Sequence, residues 1–109
     1  MQKLNFEIKE KKVEINGIEF KILKDDFYIL SETKRIGKAY QNLKEDDLDG
    51  MASAIEDFRK LIVDCLGEGS LEKISANNPV GISMLIFISQ SICKVVVQEF
   101  ADSKQSEYE

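Results

Sequence analysis

Lys12-Val13-Glu14-Ile15-Asn16-Gly17-Ile18-Glu19-Phe20-Lys21-Ile22 carries apolar residues at alternate positions on both sides of an Asn-Gly pair. Strict alternation places one set of side chains on each face of a strand, so Val13 and Ile15 share a face, as do Ile18, Phe20 and Ile22. A two-residue hairpin turn whose twist matches its strands needs positive φ at both central positions, which Asn and Gly tolerate best. The stretch therefore predicts an antiparallel β-hairpin with one apolar and one wet face. Upstream, Leu4, Phe6 and Ile8 repeat the same period. A third strand there would turn the hairpin into a three-stranded meander.

Downstream the period changes from that of a strand to that of a helix. Asp25 and Asp26 can cap a helix reaching about Leu43, with Ile29, Ile36, Tyr40 and Leu43 at helical spacing. Gly37 weakens it. A clearer helix follows, in which Met51, Ile55, Phe58, Ile62 and Cys65 recur at i, i+4, i+7, i+11 and i+14. Asp47 or Asp49 is placed to cap it and Gly67 to close it. Ser70 can cap a short turn over 70–74. Asn78-Pro79 then offers an N-cap and a first helical position for a last helix running to about Phe100. That helix is apolar on most sides, with Ser83, Gln90, Lys94 and Gln98 as its polar stripe. The polar residues 102–109 read as a frayed tail.

The expected fold is α+β, mainly α: a hairpin or three-stranded meander packed on three main helices. The 109 residues suffice for one domain with a modest core. Within 1–109, residues 4–23 are assigned to β structure, 25–101 to helices and 102–109 to the tail.

Composition narrows the function. Twenty acidic against 15 basic residues give a net charge of -5, which disfavours binding to nucleic acid. Lys9, Lys11 and Lys12 cluster, but Glu7, Glu10 and Glu14 interleave with them, as on a solvated strand. The chain has no histidine, which removes the commonest general base and metal ligand together with every Ser-His or Cys-His pair. Cys65 and Cys93 stand far apart in sequence and read as small core hydrophobes, as Phe58, Phe87 and Phe100 read as core aromatics. Residues 1–7 contain no apolar signal-peptide core. The uncharged run Pro79 to Cys93 is shorter than a bilayer span, so a buried helix, a cytoplasmic location and reduced thiols are expected.

Two local patterns imitate functional motifs. Gly67-Glu68-Gly69-Ser70 follows a helix rather than a strand and puts Glu68 where a phosphate would approach, so it reads as one helix end joined to the next start. Glu45, Asp46, Asp47 and Asp49 before Gly50 lack calcium-loop spacing and read as capping residues. No catalytic, cofactor or metal site is assigned, and the chain is expected not to be an enzyme.

The order of these parts resembles a known family. Phe6-Glu7-Ile8 and Ile15-Asn16-Gly17-Ile18-Glu19-Phe20 precede a charged helix. A second helix ends in Asp64-Cys65-Leu66-Gly67-Glu68-Gly69-Ser70-Leu71-Glu72-Lys73-Ile74, and an apolar helix follows Asn77-Asn78-Pro79. In this the chain is similar to the small tail assembly chaperones of long-tailed phages and prophages of Gram-positive bacteria. The resemblance implies a protein that coats the long, aggregation-prone, helical tape measure protein in the host cytoplasm until tail tube subunits displace it. It also implies self-association, and a longer frameshifted form in many phages. Another tail or connector protein of the same module, or a small acidic regulator of one host protein, are the alternative roles.

Such a role needs apolar stripes to receive amphipathic helices and acidic flanks to stay soluble. The candidate partner-binding residues are Ile29, Ile36, Tyr40 and Leu43 on the first helix and Ile82, Leu85, Ile86, Ser89 and Val96 on the last. The competing expectation is that these side chains pack on one another and on the hairpin.

Overall fold

Backbone φ is 53° at Asn16 and 78° at Gly17 in the computed structural model, which describes residues 2–107. Both values lie in the left-handed region that the hairpin turn requires. The turn joins β1 (Lys12–Ile15) to β2 (Ile18–Lys21) in an antiparallel pair with Val13 opposite Phe20 and Ile15 opposite Ile18. Val13, Ile15, Phe20 and Ile22 bury one face, and the Ile22 N–H donates to the Lys11 carbonyl at 2.8 Å as a further rung.

The third strand does not form. Residues 2–11 take no regular secondary structure, so the sheet is a two-stranded hairpin and the expected meander is corrected. The reason is parity. Leu4, Phe6 and Ile8 are even-numbered whereas Val13 and Ile15 are odd, so a continuous strand would aim the two sets at opposite faces. Between them, Lys9 to Lys12 offers no turn residue to fold the segment back.

Among the described residues four helices follow the hairpin, and the chain is 62% helical. They are α1 (Asp26–Gln41), α2 (Leu48–Leu66), α3 (Ser70–Ser75) and α4 (Ile82–Glu107). Asp25 caps α1 by accepting from the Tyr28 N–H at 2.8 Å, and Asp47 caps α2 by accepting from the Gly50 N–H at 2.8 Å. Each satisfies a donor that the first helical turn leaves free. Gly67, at φ 100°, closes α2.

Three expectations at helix ends are corrected. Ser70 does not cap α3: Gly69 holds the cap position, while Ser70 is buried without a hydrogen-bond partner for its hydroxyl among the described residues. Asn78-Pro79 does not open α4, which starts at Ile82 with the Leu85 N–H donating to the Gly81 carbonyl. Asn78 instead donates its side-chain amide to the Ser75 carbonyl at 2.9 Å and so belongs to the turn that ends α3. Finally, α4 continues through the expected tail to Glu107. The segment 98–107 contains neither glycine nor proline, and Gln98 donates to Asp102 one turn on, at 3.0 Å.

The core is one cluster to which the hairpin, α1, α2, α3 and α4 all contribute, among them Ile15, Ile29, Ile62, Leu71 and Ile88. Polar contacts fix the hairpin on the helices at three points. The Leu23 N–H donates to the Cys65 carbonyl at the end of α2 (2.8 Å), and the Asn16 side chain donates to the Ile74 carbonyl of α3 (3.2 Å). Lys11 bridges Asp26 at the start of α1 and Glu99 of α4, the latter at 2.6 Å. Burial pulls the Lys11 pKa down, but its hydrogen bonds and charge attraction to Asp26 and Glu99 outweigh that and raise it.

Candidate partner-binding surface

The nine candidate residues divide by burial. Ile29, Ile36, Leu85, Ser89 and Val96 lie inside the protein, each at most 2% exposed. Their partners are other parts of this chain, as the packing alternative anticipates. Ile29, Ile36, Leu85 and Val96 meet in the core cluster, and Ile82 and Ile86 pack at its margin with surface left over. Tyr40 is exposed and sets its ring edge-on to Phe58, with centroids 6.1 Å apart, and Leu43, expected on the first helix, is half-buried in the loop just past the end of α1 at Gln41. Ser89 brings a hydroxyl into the apolar interior with no hydrogen-bond partner among the described residues.

The accessible apolar surface lies elsewhere along α4. Phe87 and Phe100, expected in the core, are about half exposed, whereas Phe58 is buried as expected. Ile82, Ile86, Cys93, Val97 and Phe100 follow one another at i, i+4, i+11, i+15 and i+18. At 3.6 residues per turn they fall within about 60° of the helix circumference and run for about 27 Å. This seam flanks the buried face of Leu85, Ile88, Ile92 and Val96. Its first three members are half-buried, while Val97 and Phe100 are 55% and 54% exposed. The signal in the sequence was the breadth of the apolar arc: a helix apolar over more than one stripe can give only one face to the core of so small a protein.

Ile82–Gln105 also passes the length and composition test for a membrane span, with mean hydropathy 1.4 and 28% of its apolar window buried. Against a spanning role, Lys94 lies in the middle of the helix, and the buried face of α4 closes the core.

Both thiols and the Tyr28 hydroxyl are held toward their protonated forms. Burial, then the neighbouring charge of Asp64, pushes the Cys65 thiol up to about 11, away from the thiolate form that attacks or ligates. Burial also raises Cys93. Tyr28 is raised first by burial and then by donating its hydroxyl hydrogen bond to Asp64 at 2.7 Å. Among the described residues no group of three or more Cys, Asp or Glu side chains is placed to hold a metal ion. No family model, no curated protein and no solved structure matches the chain.

Proposed function

We propose that this chain is a binding protein whose α4 flank receives an apolar helical partner, in the way a tail assembly chaperone holds a tape measure protein in the bacterial cytoplasm. One observation carries the reading: Ile82, Ile86, Cys93, Val97 and Phe100 line one flank of α4 and each keeps accessible surface, with the buried Ser89 interrupting the row between Ile86 and Cys93. A partner helix laid in such a seam is held through anchors at i, i+4 and i+7 spacing. Covering the exposed halves of Val97 and Phe100 is worth roughly 2 kcal/mol together. The net charge of -5 supports solubility of the loaded complex.

The test is co-expression with the longest helix-rich protein encoded immediately downstream, followed by affinity purification and light scattering. A soluble complex holding several copies of this chain, from a partner that aggregates alone, supports the proposal. An insoluble partner, with this chain in solution by itself, rejects it. Capture of one globular host protein at one-to-one stoichiometry would replace it with the regulator role.

A further inference from the structure

The hairpin turn is also a chemical weak point. Of the five asparagines in the chain, Asn16 alone precedes glycine. Asn5, Asn42 and Asn77 precede Phe6, Leu43 and Asn78, and Asn78 precedes Pro79, whose nitrogen carries no proton to lose. Asn16 and Gly17 are both exposed, and a Cβ on Gly17 would meet no atom within 4 Å, so water reaches the turn freely. The Asn16 side-chain amide donates to the Ile74 carbonyl of α3 at 3.2 Å and so ties the tip of the hairpin to the helices. We propose that Asn16-Gly17 is a site of spontaneous deamidation, that the tie to Ile74 holds the reaction back, and that the reaction, once it occurs, releases the hairpin tip from α3.

The step needs only water and base. The Gly17 backbone nitrogen gives its proton to hydroxide and attacks Cγ of Asn16. The N–Cγ bond forms, the Cγ–Nδ2 bond breaks, and Nδ2 takes a proton from water and leaves as ammonia. Water then opens the five-membered imide on either side of the same nitrogen. Breaking the N–Cγ bond again leaves aspartate at position 16. Breaking the original peptide bond leaves isoaspartate, with the chain routed through Cβ.

In the docked hairpin the nitrogen that must leave is the atom held by Ile74. The φ of 53° at Asn16 is fixed by the ladder beside it, where Ile15 stands opposite Ile18. Swinging Cγ onto the Gly17 nitrogen therefore breaks the hydrogen bond first. Either product then presents a carboxylate where the donor stood, so two acceptors face each other and the tie is lost. An Asp-Gly pair still makes the same turn. Aspartate thus undocks the tip without unmaking β1 and β2, whereas isoaspartate also lengthens the turn by a backbone atom.

This inference concerns the chain alone and stands or falls separately from the helical partner proposed above. The experiment holds the full chain in mildly alkaline buffer, native and in denaturing urea, and follows each asparagine by mass spectrometry of tryptic peptides. Residues 13–21 form the peptide that carries Asn16. In urea Asn16 is expected to convert before any other asparagine. In the native protein it is expected to convert about tenfold more slowly, because one hydrogen bond must break first. Asn16→Asp is expected to keep the wild-type circular dichroism and to lower the melting temperature by about 4–8 °C. Equal rates in the native and unfolded chains, earlier conversion of another asparagine, or an Asn16→Asp protein that melts with wild type would each overturn the proposal.

Discussion

Two glycines in helices have opposite roles, and only their surroundings tell them apart. A Cβ on Gly37 would meet no atom within 4 Å. Gly37→Ala is therefore expected to stabilise the protein by about 0.5–1 kcal/mol, read as a higher urea midpoint. A Cβ on Gly50 would collide with the Asp47 carboxylate and the Leu43 side chain. Gly50→Ala is expected to disturb the α2 cap and cost about 1–2 kcal/mol in the same measurement. Cys65 links stability to pH. Its pKa is about 11 folded against 9.0 for an unperturbed thiol, so the unfolded chain loses this proton first. The contribution is fully present below pH 9 and is lost as pH rises through about 11, a loss of roughly 2–3 kcal/mol. Urea unfolding at pH 7, 9 and 11 should follow that decline, and Cys65→Ala should flatten the part due to this group. The interior place of Cys65 was legible in the sequence from the stripe it continues, whereas the crowding at Gly50 depends on a side chain from the preceding loop.

At the scale of elements, the hairpin and the start of α1 were legible because local chemistry dictates them: an Asn-Gly turn, and a carboxylate one residue before the first helical turn. The irregular course of residues 2–11 and the two ends of α4 were not, for reasons beyond one element. Leu4, Phe6 and Ile8 have strand spacing, but strand spacing does not supply a neighbour, and their parity is opposed to that of Val13 and Ile15. Asn78-Pro79 looks like a helix start, yet the Asn78 amide is engaged by the Ser75 carbonyl. Removing residues 2–8 is expected to leave the melting temperature within about 2 °C, because they add nothing to the core. Lys11→Met, by contrast, severs the link from β1 to α1 and α4. It is expected to cost about 0.5–1 kcal/mol, the modest size reflecting partly exposed ions. Because the folded pKa of Lys11 is raised, its contribution is present below its unfolded value of 10.5 and is lost as pH rises through the folded one.

Over the whole molecule, the extents of 62 × 30 × 24 Å belong to a slender body, and α4 spans most of its length at about 39 Å. Four of the nine candidate residues join the core cluster and a fifth, Ser89, is buried beside it, which is why a stripe read from spacing alone cannot separate interior from interface. The apolar surplus on α4 was legible, but its direction was not, since that depends on where α1, α2 and the hairpin sit. On the proposed function this flank, and not the buried stripe, receives the partner. Co-expressing the helix-rich downstream protein with wild type and with Val97→Glu/Phe100→Glu tests it most directly. The partner is expected to be soluble with wild type and aggregated with the variant, while the variant itself keeps wild-type circular dichroism and melting temperature. A partner equally soluble with both chains, or with neither, would contradict it.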